Sequence, residues 1–317
     1  MSSAAQQLGE AIRQRLGHVV FGMHEAIDNL TIALIARGHV LVEGVPGLGK
    51  TLLAKTFAVQ TGGQFKRIQC TADLMPSDVT GIHIYRADQG NFELVPGPVF
   101  ADVLLVDEIN RTGPKTQSAL LQAMEEGHVS IDRKTYPLSK NFMIIASQNP
   151  ADFEGTYPLP ESQLDRFLLK LELKYPEQAT ETQVLKSYDK PGGGHEESLA
   201  EVTPLDEALI QQAQGEAAAI HVSDAIYQYA IDLGQASRIH PQVSLGLSTR
   251  GALSLMRCAR VQACLQGNEF VTPDNIKSMA DAVMSHRLLL TPDAMLEGTT
   301  SGDVVTALLE QVDVPRT

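Results

Sequence analysis

The run His39-Val40-Leu41-Val42-Glu43-Gly44-Val45-Pro46-Gly47-Leu48-Gly49-Lys50-Thr51 limits what this chain can fold into more than any other stretch. From Gly44 to Thr51 it spells G-x-x-x-x-G-K-T. The apolar residues before it read as a buried strand, and Leu52-Leu53-Ala54-Lys55-Thr56-Phe57-Ala58 after it reads as a helix. A phosphate-binding loop needs that strand–loop–helix setting. Its glycines let the backbone turn tightly and direct N–H groups at phosphate oxygens, and the helix starting near Lys50 adds the positive end of its dipole. Lys50 can reach the β- and γ-phosphates, and the Thr51 hydroxyl can ligate Mg²⁺. A glycine-containing turn can match such a pattern by chance. Strand, helix, Lys and Thr together make triphosphate binding the expectation.

A chain of 317 residues has room for about two domains. With 43% hydrophobic and 20% charged residues, it belongs with folded globular chains rather than disordered ones. No apolar run approaches the roughly 18 residues of a membrane span. The segment Met1 to Gly17 is polar, with Leu8, Ile12 and Leu16 at helical spacing. It lacks the apolar centre of a signal peptide, so it reads as an amphipathic helix of the folded protein, and a cytoplasmic location is expected. The three cysteines, Cys70, Cys258 and Cys264, have no C-x-x-C spacing and are expected as small buried residues. The formal charge of −13 works against contact with a nucleic-acid backbone, which runs mainly on Lys and Arg.

The first half alternates apolar strands with helices. Strands are expected at 40–43, 65–69, 103–106, 142–146 and 167–173, and helices at 24–36, 51–61, 114–126 and 160–164. That alternation implies a parallel sheet with helices on both faces. Gly81 to Phe100 reads as an inserted hairpin turning at Ala87-Asp88-Gln89-Gly90, and Val129 to Leu138 as a second one turning at Asp132-Arg133-Lys134. Pro191 to Glu197 is a flexible connector, and helices follow at 206–220, 223–237, 249–265, 273–287 and 303–312. Ser223 is the expected N-cap of the second of these, and Pro273 the first residue of the fourth. The expected division is an α/β core over residues 1–190 and an all-α lid over 191–317.

Four further pieces carry chemistry. Leu104-Leu105-Val106-Asp107-Glu108 places two carboxylates at the carboxyl end of a buried strand, where open α/β sheets bind ligands. Asp107 suits holding Mg²⁺ through water, and Glu108 suits polarising a water for attack on the γ-phosphate. Phe142-Met143-Ile144-Ile145-Ala146-Ser147-Gln148-Asn149 ends another strand in amides. Asn149 can bond the attacking water or a γ-phosphate oxygen, or simply serve as a turn residue before Pro150. Arg166 stands just before the last core strand. Arg250 opens a lid helix, where an arginine taken alone is most often an ordinary surface charge.

In this order the pieces resemble the AAA+ ATPases and, within them, the MoxR family. The resemblance rests on Gly44–Thr51, on Leu104-Leu105-Val106-Asp107-Glu108-Ile109-Asn110-Arg111, on Gln117-Ser118-Ala119-Leu120-Leu121-Gln122-Ala123-Met124-Glu125-Glu126 and on Ser147-Gln148-Asn149-Pro150. It rests further on Leu159-Pro160-Glu161-Ser162-Gln163-Leu164-Asp165-Arg166-Phe167 and on His286-Arg287-Leu288, and it covers about Gln6 to Leu290. It implies a P-loop core with two hairpin inserts followed by a helical lid.

The resemblance also implies roles. Gly44, Val45, Pro46, Gly47, Leu48, Gly49, Lys50, Thr51 and Leu52 would hold ATP as Walker A. Thr51 and Asp107 would hold Mg²⁺, with Asp107 and Glu108 as Walker B. Asn149 would be sensor 1. Arg166 would be an arginine finger acting on the neighbouring subunit's ATP. Arg250 would be sensor 2, reaching the γ-phosphate from the lid, and Phe21 and Gly22 would pack on adenine. Where relatives often carry Gly-Ala-Ser-Pro-Arg at sensor 2, this chain has Leu247-Ser248-Thr249-Arg250. The family further implies a ring, expected to be hexameric, that remodels or activates client proteins or assists metal-cofactor insertion. Its expected partner carries a von Willebrand factor A domain on a separate chain. A nucleic-acid motor is the alternative, and the acidic charge counts against it.

Overall fold

The protein is described by a computed structural model covering residues 3–45, 47–149, 155–189 and 204–315. The connector expected at 191–197, together with Pro46 and Pro150, lies outside the described residues. The strands run β1 (Val40–Glu43), β2 (Phe65–Gln69), β3 (Gly81–Arg86), β4 (Asn91–Pro96), β5 (Val103–Asp107), β6 (His128–Ile131), β7 (Lys134–Pro137), β8 (Met143–Gln148) and β9 (Leu169–Glu172). Five of them form a parallel sheet in the order β2-β5-β8-β1-β9. The other four form the two expected hairpins, β3–β4 and β6–β7.

The sheet is covered on both faces, which is why its central strands are apolar throughout rather than alternating. Successive side chains still point to opposite faces. Val40, Val42, Val103, Leu105, Met143 and Ile145 join one apolar cluster, while Leu41, Leu104, Val106, Ile144 and Ala146 join another. The first cluster is completed by α1 (Ala4–Gly17), α2 (His24–Ile35) and α3 (Lys50–Gln60). The second is completed by α4 (Pro76–Thr80) and α5 (Pro114–Glu126). Two short or exposed helices complete this half, α6 (Glu161–Leu164) and α7 (Gln178–Tyr188). Sequence reading missed α4 and α7. The first has only five residues, and the second is polar and mostly exposed, so neither shows an apolar stripe.

Helices Glu207–Ala219, Asp224–Ile239, Thr249–Leu265, Pro273–Met284, Pro292–Leu296 and Ser301–Gln311 follow, with a small antiparallel pair, Val243–Leu245 against Leu289–Leu290. Thr272 and Asn275 form a capping box around Pro273, as a proline at the first helical position suggests. Ser223 occupies the N-cap of its helix, but its side chain makes no capping bond. The helix expected through Arg287 stops at Met284 and tightens into a 3₁₀ turn, Ser285–Arg287. Helix Glu207–Ala219 packs on α1, and Glu216 accepts from the first backbone N–H groups of α1, Ala4 at 3.1 Å and Ala5 at 3.0 Å. A carboxylate there satisfies orphan donors and complements the helix dipole. No helix among the described residues is long and apolar enough to cross a membrane.

Two buried side chains pin the amino-terminal edge of the sheet. His39, just before β1, accepts from the Ile144 N–H at Nδ1 (3.0 Å), so its Nε2 carries the proton donated to the Met124 carbonyl (3.1 Å). Burial lowers its pKa from 6.5 to about 4, against the raising effect of the Met124 bond. Arg287 is 2% exposed in its side chain and bonds Asp165 Oδ1 at 2.7 Å and the Leu168 carbonyl at 3.1 Å. It also takes the carbonyl of Phe167. Phe167 and Leu168 were expected inside the last strand; they instead lead into β9 with their carbonyls held by this arginine.

Between pH 6.5 and 4 the unfolded chain binds a proton that folded His39 refuses. Stability therefore falls as pH drops through that window, by an amount on the order of 3 kcal/mol from this group. His39→Gln should flatten the dependence of Tm on pH over that range; an unchanged slope would contradict the assignment. Arg287→Ala removes the partner of the Asp165 carboxylate and of four backbone carbonyls, and denaturant titration should show a loss of about 3–5 kcal/mol. A loss below about 1 kcal/mol, typical of an exposed pair, would contradict the buried role.

Candidate functional site

Parallel strands end on one edge, and here the chemistry-bearing residues end there together. Register pairs Glu43 of β1 with Gln148 of β8, and Gln69 of β2 with Asp107 of β5. Because β8 lies between β1 and β5, the glycine loop and the acidic pair are about 10 Å apart, at two interstrand spacings. Asn149, buried just after β8, stands between them.

The loop leaves β1 at Gly44, where an added Cβ would sit 2.9 Å from the Leu173 carbonyl, so only glycine fits beside the end of β9. Gly47 and Gly49 have φ of +88° and +79°, the left-handed region that glycine enters without cost. Val45 and Leu48 lie between and beside them, and Lys50, Thr51 and Leu52 form the first turn of α3. Lys50 Nζ donates to the Gly44 carbonyl at 2.8 Å, folding the ammonium back over the loop. Glu43 anchors the loop's base by accepting from Gln148 Nε2 at 2.5 Å and Lys170 Nζ at 2.9 Å.

Asp107 is 9% exposed. Its Oδ1 accepts from Ser147 Oγ at 2.5 Å, and its Oδ2 faces the Arg67 guanidinium at 2.7 Å. Ser147 Oγ in turn accepts from the Glu108 N–H at 3.0 Å, so one hydroxyl orients both acids. Glu108 has φ +56°, a left-handed conformation costing on the order of 1–3 kcal/mol in a non-glycine residue. Its carboxylate accepts from Gln69 Nε2 at 2.9 Å and lies 3.2 Å from Arg111 Nε. The negative field is felt nearby: burial first, then Asp107 and Glu108, push the Cys70 thiol up to about 12. Thr51 and Asp107 offer hard oxygen donors, the set that Mg²⁺ takes, and Asp107 already attracts a cation.

Phe21 and Gly22 line one cavity with Gly47, Leu48, Gly49 and Leu52. Its volume of about 720 Å³ suits a nucleotide-sized ligand. Tyr175, Val184 and Leu185, from the segment after β9 and from α7, close its far side, and Asp281 and Ala282 border it from the lid. Gly22 has φ +73°, and an added Cβ would lie 2.8 Å from Thr180 Cγ2 of α7.

Arg166 and Arg250 are elsewhere. Arg166 precedes β9, whose Leu169 pairs with Val40 at the start of β1. It therefore lies at the amino-terminal edge of the sheet, a β1 length of about 13 Å from the glycine loop. Arg250 was expected over the loop; it sits instead beside Arg166. Both pair with Glu125 near the end of α5, Arg166 as an ion pair at 3.0 Å and Arg250 through a hydrogen bond at 2.5 Å. The Arg250 bond first, and the charges of both arginines, hold the Glu125 carboxyl below its ordinary value. The variant turn before Arg250 is well made: Ser248 Oγ accepts from the Gly251 N–H at 2.9 Å and donates to Asp165 at 3.0 Å.

Sequence reading missed Arg67, Gln69, Ser147, Glu125 and Asp165 as parts of these two clusters. Only strand order and register bring Arg67 and Gln69 to the acids. Glu125 and Asp165 stood inside the quoted motifs, but their partners are 41 residues or more away in sequence for Glu125 and 83 or more for Asp165.

Residues 39–169 match the family described as ATPase family associated with various cellular activities (AAA), and residues 235–308 match the AAA lid domain. The chain is 43% identical to YeaC, an uncharacterised protein of Bacillus subtilis, over 97% of this chain and 95% of that one. It is 37% identical to chaperone MoxR1 of Mycobacterium tuberculosis, over 94% and 80% of the two chains. A crystal structure assigned as an ATPase from Cytophaga hutchinsonii superposes with TM-score 0.89 at 35% identity, over 99% of this chain and 97% of that one. Identity at this level over nearly the whole of both chains shows the family, and the chain belongs to the MoxR family of AAA+ ATPases.

Proposed function

We propose that this protein hydrolyses ATP in a ring whose active sites are shared between neighbouring subunits. The observation carrying this reading is the separation of loop and arginines: Arg166 and Arg250 lie at the sheet edge opposite Gly44–Thr51. That separation favours action on another chain's triphosphate over action on their own. Facing outward at that edge, they can serve the ATP of the next subunit. The Arg166 side chain is 30% exposed and that of Arg250 47%, so parts of both guanidiniums are open to an anion from outside the chain.

In this mechanism the loop N–H groups and Lys50 hold the β- and γ-phosphates, and Phe21 and Gly22 pack on the base. Thr51 and Asp107 would hold Mg²⁺, which would supply charge neutralisation. Asn149 orients water toward the γ-phosphorus and Glu108 takes its proton, as the bond from the γ-phosphorus to the bridging oxygen breaks. Positioning and charge stabilisation provide most of the acceleration in such transfers, and an arginine supplied from outside contributes about 10³–10⁵ in related phosphate switches. Core 1–190 and lid 191–317 then act as two levers of one cycle. The work done is chaperone-like, on client protein complexes or metal-cofactor insertion. We read the ring as hexameric, the partner as a separately encoded von Willebrand factor A domain protein, and the location as cytoplasmic. The −13 charge disfavours nucleic acid as the substrate.

Glu108→Gln keeps the shape of the site and removes the base. Turnover should drop by at least about 10²-fold while a fluorescent ATP analogue still binds and the oligomer persists. Turnover at the original rate would remove Glu108 from the chemistry.

A further inference from the structure

Glu125 divides its two carboxylate oxygens between arginines from different parts of the chain. Oε2 forms an ion pair with Arg166, 3.0 Å from its Nη2, and Oε1 accepts a hydrogen bond from Arg250 Nη2 at 2.5 Å. Arg166 belongs to the core, and Arg250 to the first turn of helix Thr249–Leu265. The same two segments are joined again one step back. Asp165 accepts from Ser248 Oγ with one oxygen and from buried Arg287 with the other. Both arginines are thus mounted on one frame, and Glu125 sets their spacing.

Folding stability does not account for this arrangement. The side chains of Glu125, Arg166 and Arg250 are 41%, 30% and 47% exposed, and ion pairs so placed contribute little. What the carboxylate does is geometric. Two guanidiniums of like charge would otherwise repel at this distance. Each has five N–H donors, and Glu125 takes one hydrogen bond from Arg250 and an ion pair with Arg166. With the side chains 30% and 47% exposed, donors remain for a second anion while the first stays bound.

We propose that Glu125 is a positioning residue that aligns Arg166 and Arg250 as a pair and presents them together to the triphosphate of the neighbouring subunit. This rests on the shared-site reading above. Because one arginine is carried by the core and the other by the lid, the pair forms only when the lid is docked. Glu125 thereby makes catalysis in one subunit depend on the lid of the next.

The test measures ATP turnover, ATP KM and Tm for Glu125→Ala and for Glu125→Gln, which keeps the length and loses the charge. Each variant, and separately Arg166→Ala, is also mixed with Lys50→Ala over a range of ratios, with co-assembly verified. Misalignment of catalytic groups should lower kcat of Glu125→Ala by about 10- to 100-fold with KM changed less than about twofold and Tm nearly unmoved. Glu125→Gln should fall between Glu125→Ala and the parent. Mixing Glu125→Ala with Lys50→Ala should restore activity, as mixing Arg166→Ala with Lys50→Ala does, since intact arginine pairs then face intact loops. If Arg166→Ala is rescued but Glu125→Ala turns over at the parent rate, or is not rescued, the shared site stands and the role of Glu125 is overturned. If Arg166→Ala is not rescued either, the shared site falls and this proposal with it.

Discussion

The parallel register of the five strands is the constraint on which the rest depends. Asp107, Gln148 and Glu43 reach one edge because β5, β8 and β1 run in the same direction with their ends in step. A one-residue slip of β5 would turn Asp107 to the other face and exchange its neighbours between the two apolar clusters. The burial of Leu104 and Val106 on one side and Val103 and Leu105 on the other forbids that slip. Packing in the core therefore specifies where the carboxylates stand. The Ser147 hydroxyl then refines their orientation by bonding Asp107 and the Glu108 N–H together.

The same register separates two groups of functional side chains. Residues following strands gather at the loop edge, and residues preceding them gather at the other. Arg166 precedes β9 and Glu125 ends α5, the helix whose Met124 carbonyl meets His39 before β1. The lid is fastened to this second edge by Arg287 and Ser248, and it borders the nucleotide cavity with Asp281 and Ala282. One helical unit therefore touches both edges. On the proposed reading, a change in lid angle at the cavity would reach the arginines through these packed helices as a rigid-body coupling.

Much of this could be read from residue order. The strand–loop–helix around Gly44–Thr51, the acids after Val103–Val106 and both hairpins follow from local pattern, since glycine spacing, apolar runs and turn residues act over short distances. What resisted reading is long-range. Gln69 looks like any polar residue at a strand end until β2 pairs with β5, and Ser147 looks like one residue among the amides of its motif. Arg250 was read as closing its own loop because a motif names a residue type without its direction in space. Its partner Glu125, 125 residues earlier, decides that direction. The polar helix α7 gave no signal either, because its work is to line a cavity with Val184 and Leu185 rather than to bury a continuous face.

A site shared between subunits makes turnover a property of contact between chains. The most direct measurement is ATP turnover per chain across a dilution series, with mass determined at each concentration. Turnover per chain should be near zero where the protein is monomeric and should rise in step with assembly. Constant turnover per chain down to concentrations where only monomer is present would contradict the account.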